Sequence, residues 1–142
     1  MNPLEYNTFN RGKIQYRERA RQIIDFSGLR YKNITPTDID GLNEYHNKGF
    51  VFYEYKLGNA EMPFGQRTAL ERLVDAVNAG GKEAVVFLCS HNVANPQEDV
   101  DAAEAKVVET YYRGRWHREK GTETVKQRSD AFLEWLDLNP LL

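Results

Sequence analysis

Apolar residues recur along the chain at two spacings, which separate helices from strands. Helical spacing is seen from Lys13 to Ser27, from Gln66 to Asn78, and after Thr122, the expected N-cap of a C-terminal helix. Extended segments are predicted at residues 29–34, on both sides of the turn Asn47-Lys48-Gly49, at 84–90 and at 107–117. We therefore expect an α/β fold with a mixed central sheet of four or five strands flanked by helices. The element order is α-β-β-β-α-β, followed by an additional strand and a helix.

The strand from Phe50 to Lys56 differs from an ordinary amphipathic strand, because alternate residues fall on opposite faces and both faces are apolar. A strand of this kind is usually covered on both sides, as in a mixed α/β sheet. It ends in two charged residues, Glu54 and Lys56, on the face that carries Phe50 and Phe52. Charges in such a position need a partner or a metal ion.

The hairpin supplies candidate partners for these charges. A turn centred near residues 47–49 places Glu54 opposite roughly Gly41–Asn43 and Lys56 opposite roughly Ile39–Gly41, so that Asp40 lies beside both. Two carboxylates and a lysine on adjacent strands are suited to a hard divalent cation with an ammonium group close to its water. The pattern therefore predicts a hydrolytic site. The alternative is a pair of solvated charges at a strand end.

At these residues the chain resembles the PD-(D/E)XK nuclease superfamily, whose motif is an acid, a hairpin, then Glu or Asp, any residue, and Lys. The resemblance implies a restriction endonuclease-like core and phosphodiester hydrolysis that depends on Mg²⁺ or Mn²⁺. It implies that Asp40, Glu54 and the backbone carbonyl of Tyr55 bind the metal. Lys56 would orient or deprotonate the attacking water, or stabilise the charge that develops on the phosphate. In the family motif the first acid directly follows a proline, whereas here Thr37 stands between the proline and Asp38. The identity of the first acid is therefore open, with Asp38 as the alternative to Asp40.

The resemblance extends to residues outside the motif. Many relatives place a glutamine at the start of the next helix, where Gln66 stands here, and a glutamate on the leading helix, where Glu18 stands. For each, a structural or solvated role remains the alternative. Four arginines are candidate phosphate contacts, with solvated faces or a covered sheet edge as the alternative: Arg17, Arg21, Arg113 and Arg115.

Composition limits the remaining possibilities. The 142 residues suffice for one domain, 1–142, with residues 1–12 as an irregular N-terminal arm. The longest apolar runs are too short for a membrane span, so we expect no membrane partner and a cytoplasmic location. The resemblance is to small bacterial and phage members of the superfamily, which implies a bacterial or phage-infected host cell. The single cysteine, Cys89, lies in an apolar run and predicts a buried, inert thiol.

Charge is unevenly distributed although the formal net charge is only -2. Residues 10–32 hold seven Lys or Arg against two acids, and residues 106–128 hold seven against three. Residues 33–105 hold twelve acids against five basic residues. Acids in the centre and basic segments on either side suit an enzyme that binds cations centrally and phosphates at its periphery.

The hydrolytic site predicted from the pattern, together with the resemblance, implies a metal-dependent DNA endo- or exonuclease that acts in recombination, repair or phage DNA processing. The alternative is a non-catalytic nucleic-acid-binding or assembly protein with the same fold, and a metal-dependent RNase is a weaker third possibility. Many small relatives are dimers, and a junction resolvase would need a homodimer in order to present two sites to two strands.

Overall fold

The chain divides into two compact units, Met1–Pro36 and Thr37–Leu142, within which the computed structural model describes residues 12–139. Apart from Gly12, the arm predicted for residues 1–12 lies outside the described residues. The single domain predicted for residues 1–142 stays a prediction.

The first unit contains much less helix than its sequence pattern predicts. Helix α1 spans only Arg17–Ala20, and a 3₁₀ turn follows at Ser27–Leu29. The helix predicted for residues 13–27 is therefore wrong. Its apolar side chains are exposed, with 77% of Ile23 and 75% of Ile24 accessible to solvent. Helical spacing alone did not suffice, because most helix stability in proteins comes from packing of the apolar face.

The short strand predicted for residues 29–34 is also not formed. Tyr31 and Ile34 make one isolated antiparallel bridge, with backbone hydrogen bonds of 2.8 and 2.9 Å. Lys32, between them, has a positive φ of 55°, so the chain turns back on itself here. The three strands expected before the central helix are consequently reduced to two in the described part of the chain.

The second unit contains a five-stranded mixed sheet, which confirms the predicted α/β class. The strand order follows the chain, with β2 and β3 parallel and the other neighbouring pairs antiparallel. The strands are β1 (Gly41–Tyr45), β2 (Gly49–Leu57), β3 (Glu83–His91), β4 (Lys106–Tyr112) and β5 (Arg115–Arg118). The crossover that joins β2 to the parallel β3 contains a helix, as is usual for parallel pairs.

Two helices cover the two faces of this sheet. Helix α2 (Phe64–Ala79) packs on the face that carries Phe52, and α3 (Val125–Leu138) packs on the face that carries Val51 and Phe87. The prediction that β2 is buried on both faces is thus confirmed. Within residues 12–139, no helix combines the length and the hydropathy that a membrane span requires.

The C-terminal part differs from its prediction in two details. The single strand expected at residues 107–117 is a hairpin, β4 and β5, because Arg113 and Gly114 adopt positive φ angles of 48° and 82°. Helix α3 is capped by Thr124 instead of Thr122. Thr124 and Gln127 form a capping box, in which each side chain bonds the backbone of the other residue.

Candidate active site

The register of the β1–β2 hairpin decides which acid meets Glu54. Tyr45 pairs with Gly49, and His46 and Asn47 form the turn with positive φ angles of 47° and 60°. The turn therefore lies earlier than the predicted Asn47-Lys48-Gly49. A Cβ on Gly49 would lie 2.8 Å from the carbonyl oxygen of Glu83, so this position requires glycine.

This earlier turn shifts the pairing predicted for the acids. The ladder ends with Gly41 opposite Tyr53, and continuing it by one residue places Asp40 opposite Glu54. The expectation that Glu54 faces Gly41–Asn43 was off by one residue or more, because it assumed a later turn. In the observed register Asp40 lies directly opposite Glu54, whereas the predicted register placed Asp40 at least one residue away from that position.

Asp40 is anchored on β2 although it precedes β1. Its Oδ2 atom accepts a hydrogen bond of 2.8 Å from the backbone N–H of Tyr55. The carbonyl of Tyr55 points to the same side of the strand as that N–H group, beyond the end of β1. Asp38 is exposed. Of the two candidate first acids, the structure brings Asp40 to Glu54.

Glu54 is a buried carboxylate with incomplete hydrogen bonding. Its side chain is 3% exposed, and Oε1 lies 3.2 Å from Nζ of Lys56. Oε2 is buried and accepts no hydrogen bond within the described residues. Burial and the neighbouring Asp40 carboxylate raise the pKa of Glu54 to about 7, against the opposing effect of Lys56. An orphaned, buried carboxylate oxygen needs a cation or a proton.

Lys56 and Gln66 complete the cluster from the same face of the sheet. Nζ of Lys56 donates a hydrogen bond of 3.2 Å to Oε1 of Gln66, which lies in the first turn of α2 and is buried. The sequence predicted that Gln66 points with the buried face of this helix, and the structure places it there. Its amide fixes the direction of the ammonium group.

The donor set fits Mg²⁺ or Mn²⁺ bound together with water and substrate. The carboxylates of Asp40 and Glu54 are neighbours, and the carbonyl of Tyr55 points to the same side of β2 as the N–H group that binds Asp40. Within residues 12–139 there is no group of three or more His, Cys, Asp or Glu side chains arranged around one cation position. Mg²⁺ is usually held by one or two carboxylates plus waters and phosphate oxygens, so a pair of carboxylates matches this ion.

The remaining predicted site residues lie elsewhere in the chain. Arg17 and Glu18 belong to α1 and Arg21 follows it, in the first unit, where Glu18 is exposed. Arg113 lies in the β4–β5 turn and pairs with Glu83, with Nη2 and Oε1 2.5 Å apart.

Arg113 and Arg115 are remote from the cluster, because Glu83 begins β3, whereas Ser90, the partner of Lys56, lies near its end. Seven residues of strand separate these two positions, about 23 Å. Phosphate binding by these arginines stays a prediction.

Two side chains of β3, next to the site strand β2, have structural roles. Nδ1 of His91 accepts a hydrogen bond of 3.1 Å from the backbone N–H of Val93. Burial raises the pKa of the Cys89 thiol to about 12, so this cysteine is not a nucleophile at neutral pH. The predicted buried thiol is confirmed.

Sequence reasoning missed one residue on the site's face of the sheet. Lys106 pairs with Ser90, which pairs with Lys56, so the three residues form one row across β2, β3 and β4. Lys106 belongs to a second Glu-x-Lys tripeptide, Glu104-Ala105-Lys106. The tripeptide follows a polar stretch, and only the pairing of β3 with β4 brings it to the site.

The fold and the site were compared with known proteins. No protein-family model, no curated protein and no solved structure matched the chain. The nuclease resemblance therefore stays a prediction, and function has to be inferred from the geometry around Asp40, Glu54 and Lys56.

Proposed function

We propose that the protein is a metal-dependent nuclease that hydrolyses phosphodiester bonds in DNA. The observation that carries this proposal is the buried Oε2 atom of Glu54, which accepts no hydrogen bond within the described residues although the carboxylate of Asp40 is its neighbour. The ammonium group of Lys56 contacts the other oxygen, Oε1. A protein that needed these residues only for stability would gain nothing from two neighbouring carboxylates with an orphaned oxygen.

The fold supports the finer assignment to a restriction endonuclease-like core. An acid precedes β1, Glu54 and Lys56 lie on β2, a helix follows with Gln66 in its first turn, and β3 is parallel to β2. This is the order that the resemblance implies, without its first strand and with a β4–β5 hairpin and α3 added at the C-terminal end.

Each residue has a chemical task in this proposal. Asp40 and Glu54 bind Mg²⁺ or Mn²⁺, which, when bound, lowers the pKa of a water molecule and neutralises phosphate charge. Lys56 holds the attacking water or stabilises the charge that develops on the phosphate. Gln66 is a positioning residue, because it contacts the ammonium group of Lys56.

Cleavage of labelled single-stranded, duplex, flap and four-way-junction DNA, with magnesium, manganese or chelator, tests the proposal. Asp40→Asn, Glu54→Gln and Lys56→Ala should each reduce cleavage by at least ~100-fold. Asp38→Asn is the matched control, because it removes the same charge from an exposed neighbour, and it should retain activity.

Two results would contradict the nuclease. Cleavage that survives Glu54→Gln would remove this residue from the site. DNA binding without cleavage of any substrate, at any metal condition, would favour a non-catalytic binding or assembly protein. Competition between DNA and RNA of the same sequence separates DNase from RNase.

A further inference from the structure

Lys106 and Arg118 differ from most other basic side chains on the sheet and its helices. Arg67, Arg113 and Arg128 are each ion-paired with a carboxylate. Lys106 and Arg118 are exposed, and their side chains have no hydrogen bond or ion pair within residues 12–139. Unpaired cations attract phosphates without first having to break an internal pair.

Both cations lie on the same face of the sheet as the candidate active site. Paired residues in neighbouring strands point to the same face. Lys106 is two strands away from Lys56, about 10 Å at the usual strand spacing. In the register of the sheet, Arg118 lies opposite Glu109, Glu109 lies opposite Leu88, and Leu88 lies opposite Glu54. Three strand spacings therefore separate Arg118 from Glu54, about 14 Å.

The backbone at Lys106 is held from both sides. Its flanking residues, Ala105 and Val107, are buried on the α3 side, and Lys106 itself bridges Ser90 on one side and Thr124 on the other. The ammonium group therefore projects from a fixed position, and only its flexible side chain has to adjust to a ligand.

An exposed aromatic residue lies in the first turn of α2, the turn that also contains Gln66. Phe64, the first residue of α2, is 85% exposed and precedes by two residues Gln66, the hydrogen-bond partner of Lys56. Side chains in a helix tilt toward its N-terminal end, which here is the end next to Lys56. An exposed phenylalanine within one helical turn of a charged cluster offers a stacking surface.

We propose that this face binds an unpaired DNA strand at the N-terminal end of α2, the helix that covers the rest of the face. Lys106 and Arg118 contact the phosphates of the strand, and Phe64 stacks on one of its bases. The inference rests on the proposed function for the statement that this strand is the substrate. Phe64 selects for an unpaired segment, because the face of a base is open to a side chain only where the base has left the duplex stack.

Binding measured in chelator tests the stacking separately from catalysis. A fluorescein-labelled oligothymidylate of about twelve nucleotides and a duplex of the same length are titrated with the full chain by anisotropy. We expect the single strand to bind more tightly, Phe64→Leu to weaken its binding at least ~5-fold, and Phe64→Trp to restore it. Equal affinity for strand and duplex, or unchanged binding of Phe64→Leu, would overturn the inference.

Charge reversal tests the phosphate contacts. Lys106→Glu and Arg118→Glu should each weaken binding ~10-fold and lower the slope of log affinity against log salt by about 1. Arg72→Glu is the matched control, since Arg72 is an exposed cation of α2 that belongs to neither the candidate site nor the predicted phosphate contacts. An equal loss in Arg72→Glu would show that only net charge matters and would overturn the assignment.

Failure of the two proposals is distinguishable. Single-strand binding that depends on Phe64 and Lys106, without cleavage, supports the binding face and removes the nuclease. Cleavage that is lost in Glu54→Gln but unchanged by substitution of Phe64 or Lys106 would support the nuclease and remove the binding face. Tighter binding of an RNA strand than of the same DNA strand would overturn the choice of DNA.

Discussion

Glu54 makes the stability of the metal-free protein depend on pH between about 4.5 and 7. Its pKa is raised from 4.5 to about 7, chiefly by burial. Between these values the folded state keeps a proton that the unfolded state has released, so the stability that this group contributes is fully present below about pH 4.5 and is lost as the pH rises through 7. We expect the free energy of unfolding in chelator to fall by about 1–3 kcal/mol between pH 5 and pH 8.

Chemical denaturation of the wild type and of Glu54→Gln at these two pH values measures this dependence. The amide cannot ionise, so the variant should lose most of the pH dependence and be more stable than the wild type at pH 8. Glu61→Gln, at an exposed glutamate, is the control and should behave as the wild type does. A wild-type stability that rises with pH would contradict the assignment.

At the scale of elements, the residue that caps the start of α3 differs between the sequence prediction and the structure. The sequence predicted Thr122 as N-cap, whereas Thr124 accepts the backbone hydrogen bond of Gln127, 3.1 Å long. We expect Thr124→Ala to destabilise the protein by about 1 kcal/mol, because an orphaned N–H group of the helix loses its partner. Thr122→Ala should change the free energy of unfolding by less than about 0.5 kcal/mol.

Urea unfolding of both variants measures the two values. A larger loss in Thr122→Ala than in Thr124→Ala would contradict the observed cap. Gln127→Ala should lower the free energy of unfolding by less than Thr124→Ala does. The side chain of Gln127 accepts a hydrogen bond of 2.8 Å from the N–H group of Thr124, and water can replace it because this group is exposed.

At the scale of the whole molecule, divalent ions should stabilise the fold through Asp40 and Glu54. A ligand that binds only the native state raises the unfolding temperature by mass action. We expect saturating Mn²⁺ or Mg²⁺ to raise Tm by about 2–5 °C in the wild type. Differential scanning fluorimetry measures this shift, which should vanish in Asp40→Asn and in Glu54→Gln and persist in Asp38→Asn. A shift of equal size in all four proteins would place the cation elsewhere.

Much of the second unit could be predicted from its sequence because its patterns are strong. The double-faced apolar strand around Phe52, the apolar run from Ala84 to Ser90 and the stripes of α2 and α3 each demand burial in a definite geometry. The first unit could not be predicted in this way. Ile23 and Ile24 have helical spacing, yet nothing among the described residues buries them, and spacing without burial carries little free energy.

The sequence by itself determined which residue types end β2, that Glu54 and Lys56 share a face, and that Gln66 belongs to the buried side of its helix. These follow from the local periods of strand and helix, which are properties of the backbone. Only the tertiary structure decided that Asp40 rather than Asp38 meets Glu54, and that Lys106 joins the row of Lys56. Both depend on strand register, which the alternation of apolar and polar residues does not specify. The register of β1 on β2 is set by the turn conformation at His46 and Asn47, and the position of Lys106 by the long-range pairing of β3 with β4.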